Sequence, residues 1–143
     1  MTTKELSQLY YLNREIGDCK KRLRELEMQR GVSAQNMDGM PHAKGVTKSQ
    51  VEQLAAEIVD LKAIIHAKQI ECIHERNRLE RYIEDIPDSL TRQIFRYRFA
   101  DCLSWEVVAD QCGGDNTGDS VRMRCYRYLK DQNSDKPVAE CSV

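Results

Sequence analysis

The feature that most constrains the fold is a heptad repeat that occurs twice along the chain. In the first run the apolar positions are Leu9, Leu12, Ile16, Cys19, Leu23 and Leu26. In the second run they are Val51, Leu54, Ile58, Leu61 and Ile65. Such spacing places apolar side chains on one face of a helix, which a second helix can cover. With only 7 glycines and 3 prolines in 143 residues, the chain lacks the frequent turns of a β-sandwich or barrel, and we predict an all-α fold.

Residues 31–46 interrupt the periodicity and predict a loop between the two helices. The helix-breaking residues of this segment are Gly31, Gly39, Pro41 and Gly45. Gly31 directly follows the first run and is expected to end the first helix. The segment is longer than most connections inside a compact domain, and it is interpreted either as a mobile linker or as a functional or partner-binding loop.

The second helix is predicted to extend from about residue 48 to residue 85. Thr47-Lys48-Ser49-Gln50 and Ser49-Gln50-Val51-Glu52 both fit a capping box, which marks a helix start. Neither glycine nor proline occurs between this point and Pro87.

The two heptad runs can be aligned with each other. When the chain is folded back so that paired residue numbers sum to 77, Leu26 faces Val51 and Leu23 faces Leu54. Each such pair joins an a position to a d position, as an antiparallel coiled coil requires. We therefore predict an antiparallel helical hairpin over residues 1–86.

Residues 87–131 show a different pattern, that of three short helices. The candidate N-caps are Asp88 or Ser89 for the first helix, Ser104 for the second, and Thr117, Asp119 or Ser120 for the third. Gly113 and Gly114 separate the second helix from the third. Two capped helices joined by a glycine turn are typical of a helix-turn-helix. Residues 132–143 are expected to form a flexible tail.

The third of these helices is rich in arginine. Its apolar face consists of Val121, Cys125, Tyr128 and Leu129. Residues 117–130 contain four basic residues and one acidic residue, which gives a net charge of +3. A helix that enters the major groove needs such charge, because arginine and lysine neutralise phosphates and arginine can bind guanine. The alternative is a three-helix bundle whose polar face happens to carry arginines.

Three residues near this helix allow two interpretations each. Trp105 either packs in the core or stacks on a partner, and core packing is favoured in so small a helical unit. Arg96 and Arg98 either reach phosphate or pair with Asp101 or Glu106.

Catalytic and metal-binding motifs are absent from the sequence. It contains no glycine-rich phosphate loop, HExxH or GxSxG. None of the six cysteines forms a CxxC pair, and Cys72 and His74 are two residues apart, so they do not share a helix face. We expect neither an enzyme nor a cofactor or metal site.

Cysteine usage and hydropathy predict a cytosolic protein. Lys and Arg (22) nearly balance Asp and Glu (23), so any nucleic-acid surface must be local. Six cysteines without a pairing pattern are typical of reduced thiols. No stretch approaches the ~18–20 apolar residues of a membrane span, and the start of the chain has no apolar core of a signal peptide.

The C-terminal half resembles region 4 of sigma-70-type factors and phage transcriptional regulators of the RinA and ArpU type. The resemblance rests on the segment Arg92–Phe99, on Leu103-Ser104-Trp105 before Glu106–Ala109, on Ser120–Arg124, and on Tyr128-Leu129. The loop motifs Met37-Asp38-Gly39-Met40-Pro41 and Lys44-Gly45-Val46 are similar to those of short phage and prophage proteins of Gram-positive bacteria.

This resemblance implies a phage late-gene transcription regulator that binds double-stranded DNA and acts with RNA polymerase. By position, Asp119, Ser120, Arg122 and Met123 would face the bases, and Arg124, Arg127 and Lys130 would flank them. The turn from Gly113 to Val121 is about two residues longer than in sigma factors, which leaves the start of the recognition helix open. The alternatives are a small terminase-like DNA-packaging subunit, an assembly protein acting through the hairpin, and a sigma-like partner with little DNA affinity of its own.

The second helix also carries apolar residues beyond the hairpin seam. These are Ile64, Ile70, Ile73, Leu79, Tyr82 and Ile83. The C-terminal helices can cover the far end of this stripe, and its middle, around Ile70 and Ile73, is left for another subunit. Because exposed apolar surface is costly in water, we predict a homo-oligomer, with a dimer favoured, that forms through residues 64–83.

Overall fold

The computed structural model describes residues 1–36 and 47–135, and these residues form helices and no strand. The helices are α1 (Thr3–Leu6), α2 (Gln8–Asn36), α3 (Thr47–Glu84), α4 (Ser89–Phe95), α5 (Trp105–Cys112) and α6 (Gly118–Ser134). A π-helical turn, Arg96–Ala100, continues α4. The prediction of an all-α protein is confirmed. Within the described ranges, no helix has the length and hydropathy that a membrane span requires.

Internal contacts divide the chain into two compact units. One, here called the two-helix unit, consists of Leu12–Ile73. The other, called the C-terminal unit, combines Met1–Tyr11 with the chain from His74 onward. The domain boundary predicted from the sequence follows residue 86. The internal contacts group residues 74–86 with the helices that follow them.

The two-helix unit is held together by an apolar seam between α2 and α3. Its buried residues are Leu12, Ile16, Leu26, Ile58 and Ile65. Polar contacts flank this seam. Lys68 Nζ lies 2.7 Å from Glu15 Oε2, and Cys72 Sγ lies 3.6 Å from Asn13 Oδ1. Later residues of α2 contact earlier residues of α3, since Lys62 Nζ lies 3.8 Å from Glu27 Oε1.

The predicted register of these two helices is wrong by about one heptad. The contacts Glu15–Lys68 and Asn13–Cys72 have residue numbers that sum to 83 and 85 rather than 77. In agreement, Leu54 shares a shallow groove with Met28, Gln29 and Val32 instead of facing Leu23. A shift of seven residues preserves every pairing of an a with a d position, so the repeat itself cannot distinguish the two registers.

The error arises because α2 does not end at Gly31. The helix continues to Asn36, and a Cβ at Gly31 would meet no atom within 4 Å. A single glycine in a helix costs only ~1 kcal/mol relative to alanine, so good helix formers around it can carry the helix through. The described part of α2 is therefore longer than predicted. Residues 37–46, which form most of the predicted loop, and residues 136–143 of the predicted tail lie outside the described residues.

The C-terminal unit packs around Phe95. This side chain is fully buried, and its ring centre lies 5.4 Å from those of both Phe99 and Tyr128 and 6.3 Å from that of Tyr82. The other fully buried large side chains are Leu6, Leu79, Ile83, Ile86, Ile94, Val108, Val121 and Cys125.

Two of these residues belong to the apolar stripe that extends along α3 beyond the predicted hairpin seam. Leu79 and Ile83 lie at the far end of that stripe, which the C-terminal helices were expected to be able to cover, and both are 0% exposed within the C-terminal unit. Tyr82 is half-buried against Phe95. The remaining apolar residues of that surface, Ile64, Ile70 and Ile73, are exposed.

Candidate nucleic-acid interface

Helices α5 and α6 are joined by a tight turn that begins with two left-handed glycines. Gly113 and Gly114 have φ values of 70° and 66°, a conformation that other residues adopt only with strain. The turn ends at Thr117, whose hydroxyl accepts a hydrogen bond from the Ser120 backbone N–H. This N-cap places the start of α6 at Gly118, so the first of the three candidate caps is the one that the helix uses.

The beginning of α6 lies close against the beginning of α5. A Cβ added at Gly118 would lie 3.4 Å from the backbone nitrogen of Glu106 and 3.5 Å from the carbonyl carbon of Trp105. Ser104 caps α5 by accepting a hydrogen bond from the Val107 backbone N–H. Two predicted caps, Ser104 and Thr117, thus fix the helix starts that meet here.

The predicted amphipathic pattern of α6 corresponds to its burial. Val121, Cys125 and Leu129 are buried against the other helices of the C-terminal unit. All seven candidate DNA-binding residues are exposed: Asp119, Ser120, Arg122, Met123, Arg124, Arg127 and Lys130. Some of these seven side chains already have a hydrogen bond or an ion pair within the protein, and others have neither among the described residues.

Two residues at the start of α6 make local interactions. Ser120 belongs to a reciprocal cap, in which its hydroxyl accepts a hydrogen bond from the Thr117 backbone N–H at 2.9 Å. Asp119 Oδ1 lies 3.3 Å from Arg122 Nη2, and this ion pair is well exposed to water. An exposed pair of this kind is worth little, so Arg122 can exchange it for another partner at small cost.

Arg124 is held by the first helix of the unit. Its Nε donates a hydrogen bond to Thr91 Oγ1 at 3.1 Å, and its Nη2 lies 2.8 Å from Asp88 Oδ2. Asp88 also caps α4. Hydrogen bonds from the Thr91 hydroxyl and backbone, together with Arg124, lower the pKa of Asp88 to about 2. The carboxylate is therefore charged at neutral pH, and Arg124 connects α6 to the start of α4.

Arg127 and Lys130 are the basic side chains of this surface that have no partner among the described residues. Neither side chain has a hydrogen bond or ion pair to any residue within the part of the chain that the structure describes. They lie three residues apart and therefore on neighbouring positions of the helix surface. Met123, 47% exposed, lies on the same outer face.

An aromatic cluster that the sequence did not indicate adjoins the exposed face. The guanidinium carbon of Arg98 lies 4.6 Å from the centre of the Trp105 ring, and the ring centre of Tyr126 lies 6.2 Å from that of Trp105. Arg98 Nη1 donates a hydrogen bond to the Leu103 carbonyl at 2.8 Å. Trp105 is half-buried, whereas Tyr126 is 43% exposed and extends the candidate surface.

Arg96 and Arg98 have partners within the C-terminal unit other than Asp101 and Glu106, the two that were predicted. Arg96 Nη2 lies 2.7 Å from Glu84 and its Nε lies 3.4 Å from Glu80, both on α3. Asp101, one of the partners expected for these arginines, pairs instead with Arg76 at 3.2 Å. Arg96 and Arg98 therefore stabilise the unit. In the described ranges, no group of three or more His, Cys, Asp or Glu side chains is placed to hold a metal ion.

Comparisons with protein-family models, with curated proteins and with solved structures find no match for this chain. The resemblance to sigma-70 region 4 and to phage regulators therefore depends on the sequence motifs alone.

Proposed function

We propose that the protein binds double-stranded DNA in a sequence-specific manner by inserting α6 into the major groove. The observation that carries the proposal is the outer face of α6, where Arg127 and Lys130 have no partner among the described residues. The opposite face of the same helix is packed on α4 and α5. An exposed basic helix on a rigid support is what groove binding requires.

The proposed role of each side chain on α6 depends on whether that side chain already has a partner within the protein. Arg127 and Lys130 supply phosphate contacts, because their charges are not offset within the protein. Arg122 leaves its exposed pair with Asp119 to approach a base edge, where its two nitrogens can bind guanine. Met123 offers an apolar contact for a thymine methyl group. Arg124 positions α6 from the side, because Asp88 and Thr91 hold its guanidinium.

The narrower role, transcription regulation of phage late genes in a bacterial host, comes from the sequence resemblance. In this proposal the DNA contact brings the protein to a promoter, and RNA polymerase is the second partner. A cytoplasmic location follows from such a role.

Selection of bound fragments from a random DNA pool, followed by titration at several salt concentrations, tests the proposal. We expect a defined motif and an affinity that falls steeply with salt. Arg127→Ala and Lys130→Ala should each reduce the salt slope by about one, whereas Arg122→Ala should cost ~1–3 kcal/mol at one base position and relax specificity there. Arg24→Ala, an exposed arginine of the two-helix unit, is the matched control and should bind as the wild type does.

A second candidate function is supported by the exposed apolar residues of α3. Val59, Ile70 and Ile73 are 65%, 43% and 59% exposed, and such surface favours an assembly or DNA-packaging protein that acts through its long helices. The same selection separates the two functions. If no DNA is enriched at low salt, or if the Arg122 and Arg127 variants bind the selected DNA as the wild type does, the DNA-binding proposal is wrong and the assembly function remains.

A further inference from the structure

Helix α3 carries a second heptad seam that α2 does not cover. Its residues, again spaced by three and four, are Ala56, Val59, Ala63, His66, Ile70 and Ile73. All six are exposed, and all belong to the two-helix unit. On the helix they lie opposite the seam that includes the buried residues Ile58 and Ile65. One helix with two opposite heptad seams is suited to contact a different helix on each side.

We propose that a second copy of this chain covers the outer seam, with the two α3 helices antiparallel. In the register centred between Ala63 and His66, the residues are complementary in size. Ala56 faces Ile73 of the second copy, Val59 faces Ile70, and Ala63 faces His66. Because the contact is two-fold symmetric, each pair occurs twice, as an interface between identical chains requires.

The residues beside the seam are compatible with this register. Lys62 would face Gln69 of the second copy, and Asp60 would face Ala67, so no like charges meet at these positions. A shift by one heptad in either direction sets Val59 against Asn77 or Ile70 against Glu52. A parallel arrangement sets His66 against His66 and each alanine against itself, which leaves gaps beside the isoleucines. The antiparallel register therefore sets a smaller seam residue against a larger one in every pair, with His66, the one polar residue of the seam, opposite Ala63, and it brings no like charges together.

The extent of the seam sets the expected strength of the dimer. Eighteen residues of helix from Ala56 to Ile73 span ~27 Å, which places the contact at the small end of specific interfaces. We expect a dimer that dissociates on dilution through the micromolar range. DNA binding does not enter this inference, so the failure of one proposal leaves the other standing.

Light scattering of the DNA-free protein between ~1 and ~200 µM tests the inference. The mass should rise from 16.6 kDa toward twice that value. Ile70→Glu should weaken the dimer at least ~10-fold in dissociation constant. Ile64→Glu is the matched control, because Ile64 is a similarly exposed isoleucine of the same helix that lies off the seam. Circular dichroism checks that each variant keeps its helices.

A charge exchange identifies the register. Val59→Lys with Ile70→Glu in one chain creates two opposite-charge contacts in the antiparallel dimer, and it should bind more tightly than Val59→Glu with Ile70→Glu by at least ~10-fold. In a parallel dimer each of these positions meets itself, and the exchange gives no recovery. A wild-type mass of 16.6 kDa throughout the range would overturn the proposal. Equal weakening by Ile64→Glu and Ile70→Glu, or no recovery by the exchange, would overturn it as well.

Discussion

The guanidinium of Arg124, in the middle of α6, lies 2.8 Å from the carboxylate of Asp88, the N-cap residue of α4. The same guanidinium donates a hydrogen bond to the hydroxyl of Thr91, which Asp88 also binds. The three side chains link the candidate recognition helix to the helix start that supports it. The guanidinium of Arg124 is thus already engaged by two side chains of the same unit.

Arg124→Ala should lower the free energy of unfolding by about 0.2–1 kcal/mol, the usual range for an exposed ion pair. It should leave the salt slope of DNA binding unchanged, because the guanidinium already neutralises Asp88. Chemical denaturation and DNA titration measure the two effects. A slope reduced by one in Arg124→Ala, as expected for Arg127→Ala, would show that Arg124 leaves Asp88 to contact phosphate.

Acid should weaken the same contact in a predictable pH window. The pKa of Asp88 is lowered from 3.8 to about 2, first by the Thr91 hydroxyl, next by the Thr91 backbone and then by Arg124. A carboxyl whose pKa is lower in the folded protein stabilises it above the unfolded pKa and loses this effect as the pH falls toward the folded pKa. The stabilising charge is therefore fully effective above about pH 5 and is lost progressively between that pH and pH 2.

The comparison of Asp88→Asn with the wild type isolates this charge, since asparagine can still cap the helix through its amide oxygen. The stability difference, measured by denaturation at a series of pH values, should be largest near neutral pH and should shrink as the pH approaches 2. Asp110→Asn, an exposed carboxyl on α5, is the control for general charge effects. A difference between Asp88→Asn and the wild type that stays constant down to pH 2 would contradict the prediction.

Cys125 should resist alkylation in the folded protein. Burial raises the pKa of its thiol to about 12, and the residue is 0% exposed. Because the thiolate is the reactive form, both accessibility and charge state oppose modification. Peptide mapping after iodoacetamide treatment at about pH 8 should show modified Cys19, which is half-exposed, and unmodified Cys125. Modification of Cys125 at the rate of Cys19 would show that the core of α6 opens readily.

Local sequence signals predicted the helix starts accurately. Asp88, Ser104 and Thr117 were all among the candidate caps, and each accepts a hydrogen bond from a backbone N–H in the first turn of its helix. The long helix predicted from 48 to 85 is observed as Thr47–Glu84. These features depend on side chains within four residues of one another, so the sequence contains the information directly.

Features that depend on distant residues were predicted poorly. The register of α2 and α3 follows from where α2 ends, and Gly31 did not end it. Arg124 and Asp88 are 36 positions apart, so no local pattern indicates that they meet. Helical periodicity is enough to predict that the seven candidate residues on α6 are exposed. Which of them have partners within the protein depends on tertiary packing, which periodicity does not reveal. Periodicity therefore predicted which face of α6 is exposed, but not that Asp88 and Thr91 hold the Arg124 guanidinium.

The burial of Leu79 allows a test of how the C-terminal unit is stabilised. Leu79→Ala removes a fully buried side chain from the end of α3 and leaves a cavity, which should lower the free energy of unfolding by ~2–5 kcal/mol. Met123→Ala removes a side chain of similar size that is 47% exposed, and it should change stability by less than ~0.5 kcal/mol. Fluorescence of Trp105, the single tryptophan, reports unfolding of this unit for both variants. Equal effects of the two substitutions would contradict the burial of Leu79 in the C-terminal unit.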